Sequence, residues 1–286
     1  MQFPHLSADE VQALIERTLR EDIGEGDHTS LACLPSGTQG KAELIAKAPG
    51  VIAGVELSRQ IFHTVDTGIK WQANVVDGAA VQSGDRILTV SGPAASLLSA
   101  ERLVLNFMQR LSGIATTTRA MVDVLAGTPV QVLDTRKTTP GLRALEKWAV
   151  HIGGGVNHRF GLDDMFLIKD NHIDFCGGVI QAIDRVLAYR DAKRLNLKIV
   201  VEARTLEEVS AIAGYGYVDR ILLDNFPIPI LKEAVSLIAG RMPSEASGNI
   251  GLHNVREYRD TGVDFVSSGS LTHSVVCLDL SLKTLV

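Results

Sequence analysis

The sequence predicts an α/β protein built from two parts, a small α+β region and an irregular β/α barrel. Residues 40–92 alternate short β-rich runs with glycines, which is typical of a small antiparallel sheet. From about residue 130 another unit recurs six times: a short apolar run, then polar or charged residues, then a segment of helical length. Such a repeat indicates parallel strands joined by helices. Six units are fewer than the eight of a complete barrel, which is why an irregular barrel is expected. The periodicity alone leaves an open parallel sheet as the alternative.

Two helices are expected in the first part. Ser7 and Glu10 have the spacing of a capping box, and the apolar residues that follow at helical intervals predict a helix over about 8–21. A longer helical pattern begins after Pro93, with a break expected at Ser112-Gly113. The polar face of this second helix carries Arg102, Asn106 and Gln109.

We place the domain boundary at the expected break. The first domain then covers residues 1–112, and the barrel domain covers residues 113–274. The C-terminal segment 275–286 lies beyond the last repeat unit, and it is a candidate to pack back on the first domain.

Composition excludes several classes of protein. The 286 residues carry a formal net charge of −5, whereas a nucleic-acid surface needs a basic excess. No uncharged stretch approaches the roughly 20 apolar residues that cross a bilayer, and residues 1–10 lack the basic and apolar regions of a secretory signal. The three cysteines lie too far apart to suggest a disulfide framework or structural zinc. We therefore expect a cytoplasmic protein that binds neither nucleic acid nor a membrane.

The six repeat units each place polar residues after an apolar run. The runs are Val130–Leu133, Met165–Ile168, Lys198–Val201, Arg220–Leu223, Ala246–Ile250 and Phe265–Val266. In β/α barrels the active site lies at the carboxyl ends of the strands. We therefore expect the polar residues after these runs to form the functional site.

Basic residues concentrate between residues 134 and 172. Any single Lys or Arg is more often a solvated surface residue, but Arg136, Lys137 and Lys169 directly follow strand runs and would crowd one rim. Their mutual repulsion is tolerable if an anion lies between them, which predicts a polyanionic small substrate. Gly153–Gly155 is typical of either a mobile loop or a close approach to a ligand, and His158 of either a structural or a ligand-binding histidine.

Two carboxylates and two small-residue loops complete the candidate site. Glu202 and Asp224 each end a strand run, where they can pair with nearby bases or hold Mg²⁺ and ribose hydroxyls. Ser247–Asn249 and Ser268–Ser270 follow the last two runs. Loops at that position of a β/α barrel commonly bind phosphate through backbone N–H groups.

Nine segments occur in an order that resembles one known family. They are Glu21–Thr29, Glu101-Arg102 with Leu105-Asn106, Leu111–Thr116, Leu133–Arg143, Gly153–Arg159, Leu167–Ile173, Leu223–Asn225, Glu245–Gly248 and Leu271–Ser274. The chain resembles the quinolinate phosphoribosyltransferases, the decarboxylating nicotinate-nucleotide pyrophosphorylases of NAD biosynthesis. The resemblance implies an N-terminal α/β sandwich and an open seven-stranded β/α barrel. It also implies a homodimer with a shared active site, which can assemble into a higher oligomer.

The resemblance implies a role for each candidate residue. Those that hold the quinolinate carboxylates are Arg136, Thr138, His158, Arg159 and Lys169, together with Arg102 from the partner subunit. Those around phosphoribosyl pyrophosphate and Mg²⁺, which carry catalysis, are Lys137, Glu202 and Asp224. Those of the phosphate pocket are Ser247, Gly248, Asn249, Ser268, Gly269 and His273. Asn249 departs from the family, which usually has glycine there, although asparagine tolerates the left-handed backbone of such a turn.

Two other functions remain open at this point. A related phosphoribosyltransferase could use another acceptor, such as nicotinate or the substrate of the molybdenum-associated relatives, and the basic cluster favours the dicarboxylate quinolinate. A non-enzymatic anion-binding module would need only a basic pocket. Carboxylates at strand ends favour metal-assisted chemistry over such a module.

Overall fold

The computed structural model describes residues 5–285, and these residues form two compact units. The first unit contains the chain up to Arg119, Ala144–Gly154 and the segment from Val275 onwards. The second contains Ala120–Arg143 and Gly155–Ser274. Residues 1–4, which belong to the segment searched for a secretory signal, and residue 286 lie outside the described residues. No helix within residues 5–285 is both long and apolar enough to span a bilayer.

Two antiparallel sheets and five helices lie wholly or mostly in the first unit. The helices are α1 (Ala8–Ile23), α2 (His28–Cys33), α3 (Val55–Val65), α4 (Ala94–Leu125) and α5 (Arg143–Ile152). The strands are β1 (Gln39–Ala46), β2 (Gly50–Val51), β3 (Lys70–Ala73), β4 (Ala80–Val81), β5 (Arg86–Pro93) and, near the C-terminus, β12 (Leu280–Thr284). The main sheet has the order β12-β1-β5-β3, and β2 pairs with β4. The C-terminal segment therefore returns to the first unit through strand β12.

Helix α1 confirms the predicted N-terminal helix. The Ser7 hydroxyl accepts the Glu10 N–H, and the Glu10 carboxylate accepts the Ser7 N–H, so the capping box is complete. Val11 and Ile15 lie on the buried face. The helix ends at Ile23, two residues beyond the expected end.

The break expected at Ser112-Gly113 is wrong, because α4 continues through it to Leu125. A side chain at Gly113 would collide with the Val276 carbonyl, so this glycine allows close packing and does not end the helix. The Ser112 hydroxyl accepts the Ala53 N–H at 2.9 Å. The boundary drawn at residue 112 thus lies inside one continuous helix.

A parallel sheet surrounded by helices makes up the second unit. Its strands are β6 (Gln131–Leu133), β7 (Phe166–Ile168), β8 (Ile199–Ala203), β9 (Arg220–Asp224), β10 (Ser244–Ser247) and β11 (Phe265–Ser267). Its helices are α6 (Asp170–Cys176), α7 (Val179–Lys193), α8 (Leu206–Tyr215), α9 (Ile228–Ile238) and α10 (Ser270–His273), with a 3₁₀ turn at Val255–Tyr258. The order β6-β11-β10-β9-β8-β7 and the parallel pairing confirm the predicted α/β fold class.

The parallel sheet has six strands where the resemblance implied seven. Val156 forms a single parallel bridge with Leu133, so the seventh position next to β6 is reduced to one residue. Within residues 5–285 no ladder joins Val156 to β7, which leaves this side of the sheet open. The run predicted at Ala246–Ile250 also shifts, because Gly248 and Asn249 have positive φ angles of 105° and 53° that turn the chain after Ser247.

Candidate active site

Every candidate residue except Arg102 lies in the second unit, at or just beyond the carboxyl ends of its strands. Arg102 is exposed on α4 of the first unit. Its expected neighbour on the polar face of that helix, Gln109, instead donates its amide to the Leu280 carbonyl at 2.9 Å. The candidate residues of the second unit therefore lie at the strand ends, as the repeat predicted.

Two arginines carry buried positive charge without an anionic partner. Arg136 follows β6, Arg159 follows the Val156 bridge, and the Nε atom of each is buried without a hydrogen bond among the described residues. Arg159 is only 7% exposed. Burial and the Arg136 charge lower the pKa of Arg159, although Asp164 opposes them. Two neighbouring cations of this kind can pair with an anion.

The segment Asn157–Arg159 is fixed by the buried carboxylate of Asp134, at the end of β6. One Asp134 oxygen accepts the His158 N–H at 2.8 Å, and the other accepts the Asn157 amide at 2.6 Å. The Arg159 N–H then donates to Nδ1 of His158 at 2.7 Å. Arg159 is therefore presented by a loop whose backbone is held in place.

The His158 ring is directed into the interior of the sheet. Its Nε2 atom lies 3.4 Å from the Glu245 carboxylate, and its side chain is 7% exposed. Glu245 is fully buried and lies 3.0 Å from Nε of Arg220. Burial raises the pKa of Glu245, but its interactions with His158 and Arg220 outweigh that effect and keep the pKa below its ordinary value.

Thr138 follows Arg136 closely in the sequence, and Lys169 follows Arg159. The Thr138 hydroxyl accepts Nε of Arg143 at 3.0 Å, and Arg143 also donates to the Phe160 carbonyl at 3.0 Å. Arg143 therefore connects the loop of Arg136 with the loop of Arg159. Lys169 is exposed at the start of α6, and its charge acts on Glu202.

The carboxylates Glu202 and Asp224 end the neighbouring strands β8 and β9. Burial raises the pKa of Glu202, and the negative charges of Asp224 and Asp170 add to the effect, while Lys169 opposes it. Among the described residues neither Glu202 nor Asp224 forms an ion pair with a basic side chain, so the salt-bridge interpretation of these residues finds no partner. Glu202 and Asp224 therefore repel each other, and the charge of Lys169 offsets part of the repulsion at Glu202.

Gly269, Lys137 and His273 converge after β11. A Cβ atom on Gly269 would lie 2.8 Å from Cδ of Lys137 and 3.0 Å from the His273 ring, so only glycine lets both side chains pass. The Thr272 hydroxyl donates to the Lys137 carbonyl at 2.8 Å. The Ser268 hydroxyl is buried and donates to the Ile250 carbonyl at 2.6 Å, so it braces the loop from inside.

The loop Ser247–Asn249 turns with left-handed backbone. Gly248 has a φ of 105°, and a side chain there would collide with the Asn225 side chain. Asn249 has a φ of 53°, and its carbonyl accepts the Asn254 amide at 3.2 Å. Asparagine therefore adopts the conformation that the turn needs.

Comparison with known proteins assigns the chain. A model of the N-terminal domain of quinolinate phosphoribosyl transferase matches residues 27–112, and a model of its C-terminal domain matches residues 114–283. The chain belongs to the quinolinate phosphoribosyltransferase family. A Nicotiana tabacum protein named quinolinate phosphoribosyltransferase [decarboxylating] 1b is 46% identical, with 96% of this chain and 82% of the relative covered. A Bacillus subtilis protein named probable nicotinate-nucleotide pyrophosphorylase [carboxylating] is 42% identical, with coverage of 96% and 93%.

Solved structures agree with the family assignment. The crystal structure of NadC from Streptococcus pyogenes has a TM-score of 0.92 at 40% identity, covering 98% of this chain and 99% of that chain. A human nicotinic acid phosphoribosyltransferase has a TM-score of 0.62 at 12% identity, so it shares the fold alone. This quinolinate phosphoribosyltransferase family member therefore has the family architecture over nearly its whole length.

Sequence reasoning missed two interior residues of this family member. Arg220 and Glu245 form an ion pair inside the sheet, although Arg220 received no role and Glu245 appeared only within a motif. The signal that could have found them is a charged residue inside an apolar strand run. A cavity of about 400 Å³ also lies beside β7, where Arg159 joins mostly apolar residues of β7 and α7 in its lining.

Proposed function

We propose that this protein transfers the phosphoribosyl group of phosphoribosyl pyrophosphate to quinolinate and decarboxylates the product, giving nicotinate mononucleotide, pyrophosphate and CO₂ in NAD biosynthesis. The observation that carries the proposal is the pair Arg136 and Arg159, whose buried Nε atoms lack partners. Quinolinate has adjacent carboxylates on a pyridine ring. Such a dianion can accept a bidentate arginine fork and neutralise a second cation at the same time.

The chemistry requires positioning and charge stabilisation, and no protein nucleophile. The pyridine nitrogen attacks C1 of the ribose while the bond to pyrophosphate breaks, through a transition state with oxocarbenium character. Lys137, beside Gly269 and His273, supplies positive charge to the departing pyrophosphate. The quaternised ring then accepts the electron pair left at C2 when CO₂ departs, and that carbon takes up a proton.

Magnesium is part of the proposal, and the donor set suits it. Glu202 and Asp224 offer hard oxygen ligands on adjacent strands, and the repulsion that raises the pKa of Glu202 would be relieved by a divalent cation. No group of three or more potential protein ligands within residues 5–285 is arranged to hold a metal alone. Mg²⁺ commonly binds through one or two carboxylates together with water and substrate phosphates. When bound, it would neutralise the charge that develops on pyrophosphate.

A homodimer with a shared active site is a further part of the proposal. Arg102 is exposed and has no hydrogen bond or ion pair among the described residues, which leaves it available to a partner's quinolinate. Arg102→Ala and Lys169→Ala homodimers should each be nearly inactive. In a random mixture about half of the molecules are heterodimers with one intact site, so co-refolding should recover about a quarter of wild-type activity. Heterodimers that form, by native mass spectrometry, without recovering activity would contradict the shared site.

We also propose a cytoplasmic location. Cys33, Cys176 and Cys277 are all free thiols, which suits a reducing compartment. Relatives from Arabidopsis thaliana and Nicotiana tabacum are named chloroplastic and mitochondrial, so location varies within the family. Cell fractionation with an antibody against this chain tests the location.

The function is tested by a turnover assay with purified protein. Quinolinate, phosphoribosyl pyrophosphate and Mg²⁺ should give equal amounts of nicotinate mononucleotide, pyrophosphate and CO₂. Replacing quinolinate by nicotinate separates this activity from a phosphoribosyltransferase that does not decarboxylate. Quinolinate binding without turnover would favour the anion-binding module instead.

A further inference from the structure

A buried ion pair lies inside the parallel sheet, two residues before the carboxyl end of β10. Nε of Arg220 is 3.0 Å from the Glu245 carboxylate, which has no exposed surface. The Arg220 guanidinium also lies over the Phe265 ring, 4.9 Å from its centroid. A buried ion pair adds little to stability, because desolvation of the two charges offsets their attraction. Stability alone therefore gives a weak reason for this pair.

The ion pair is connected to the proposed quinolinate site through His158. Since Nδ1 of His158 accepts the Arg159 N–H at 2.7 Å, the ring proton resides on Nε2. Nε2 is 3.4 Å from the Glu245 carboxylate and 3.3 Å from the Arg220 guanidinium. A guanidinium has no acceptor, so the Glu245 carboxylate is the nearest acceptor for the ring N–H, and neither of its oxygens has a hydrogen bond of normal geometry among the described residues.

The loop that carries Arg159 is thus held from two sides. Asp134 accepts the backbone N–H of His158 at 2.8 Å, and the Glu245 carboxylate lies 3.4 Å from Nε2 of the His158 ring. Rotation of the ring would release the Arg159 N–H and allow its guanidinium to shift, since among the described residues Nε has no hydrogen-bond partner and Nη1 donates to the Met165 carbonyl at 3.2 Å. The orientation of that guanidinium is therefore linked to a carboxylate deep in the sheet.

We propose that Glu245 is a positioning residue for quinolinate binding, acting through His158 on Arg159, and that Arg220 holds the Glu245 carboxylate in place. The inference rests on the proposed function, since it concerns the site assigned to quinolinate. It predicts that changes at Glu245 weaken the binding of quinolinate. The binding of phosphoribosyl pyrophosphate should not change, because its proposed ligands lie on other loops.

The test uses Glu245→Gln, Arg220→Gln and the double variant in the full chain. Each single variant should be less stable to urea, because one buried charge loses its partner, and the double variant should regain stability. The quinolinate Kd, measured by calorimetry, should be about tenfold weaker in Glu245→Gln and should stay weak in the double variant. The KM for phosphoribosyl pyrophosphate should not change.

Asp264→Asn serves as the matched control. The Asp264 carboxylate accepts the Ser244 N–H at 2.8 Å, at the first residue of β10, directly before Glu245. This variant should lower stability without changing the quinolinate Kd. A loss of quinolinate binding in Asp264→Asn equal to that in Glu245→Gln would show that any loosening of β10 has the same effect.

Two further results would overturn the inference. If the double variant regains quinolinate affinity together with stability, the pair has only a packing role. If ¹⁵N NMR of the wild-type protein shows Nδ1 of His158 protonated, the connection to Arg159 does not exist, and this measurement stands even where the variants fail to fold. A wild-type protein that binds quinolinate but does not turn it over would contradict the proposed function and leave the positioning test intact.

Discussion

At the amino ends of the parallel strands in the second unit, carboxylates accept hydrogen bonds from neighbouring backbone N–H groups. Asp219 accepts the Ile199 N–H at 2.7 Å, and Asp264 accepts the Ser244 N–H at 2.8 Å. At the carboxyl ends, Arg136 and Arg159 have buried Nε atoms without partners. Charge at one end of the sheet stabilises the fold, whereas charge at the other end is left for a ligand. The comparison predicts that variants at the two ends will separate stability from activity.

The largest effect is expected for Arg136→Met, which keeps the length of the side chain and removes its charge. The kcat/KM for quinolinate should fall about a thousandfold, because a buried carboxylate of the substrate loses its partner. The free energy of unfolding should not decrease, since no internal ion pair is broken. Arg190→Met, at a surface arginine beside Asp191, is the control and should leave steady-state kinetics unchanged.

Glu202→Gln should have the next largest effect. Removing one hard oxygen ligand is expected to lower kcat about a hundredfold and to raise the Mg²⁺ concentration needed for half-maximal rate. Urea unfolding should show no loss of stability, because the carboxylate is repelled by Asp224. Glu207→Gln, at the exposed start of α8, provides the comparison variant. An unaltered Mg²⁺ dependence in Glu202→Gln would remove Glu202 from the metal site.

A smaller effect is expected at Asn249, where the φ angle is 53°. Valine disfavours left-handed backbone, so Asn249→Val should raise the KM for phosphoribosyl pyrophosphate about tenfold. Asn249→Gly should keep wild-type kinetics, and the KM for quinolinate should stay constant in both variants. A fully active valine variant would show that the turn imposes no such constraint.

Asp164, two residues before β7, should give the smallest effect, and it tests whether a carboxylate in the loop that carries Arg159 also stabilises the fold. Burial raises its pKa, but the N–H groups of Phe160 and Gly161 and the charge of Arg159 outweigh burial and lower it. A lowered pKa means that the carboxylate stabilises the folded state at neutral pH and loses this contribution as pH falls below about 4. The stability difference between wild type and Asp164→Asn should therefore shrink from pH 7 to about pH 3. Urea titrations at the two pH values measure this difference, and a difference that stays constant would contradict a stabilising charge at Asp164.

The sequence predicted the functional end of the sheet better than its interior. Lys137 and Glu202 could be found because each follows a strand run, and the carboxyl ends of parallel strands share one rim. Glu245 could not be assigned in this way, because the start of β10 was predicted two residues too late. Once Ser244–Ser247 is the strand, Glu245 falls on the inward face, where it meets Arg220.

Contacts between segments that are distant in the sequence explain what local patterns did not predict. Gly113 looked like a helix break, yet the reason for a glycine there is the Val276 backbone, more than 100 residues away in the sequence. Ser268 lies in the predicted phosphate loop, and its hydroxyl donates to the Ile250 carbonyl, a contact between distant segments that the sequence did not predict. Neither contact leaves a local pattern, since both depend on segments brought together by folding.

The most direct test of the account is a calorimetric comparison of quinolinate and nicotinate binding to the wild-type protein and to Arg159→Met. If the carboxyl ends hold cations that only a dicarboxylate can pair, quinolinate should bind wild type at least about a hundredfold more tightly than nicotinate. The difference should fall to a few-fold in Arg159→Met, because one of the two guanidinium partners is gone. Equal affinities for the two acids in the wild-type protein would contradict the claim that these unpaired charges define the substrate.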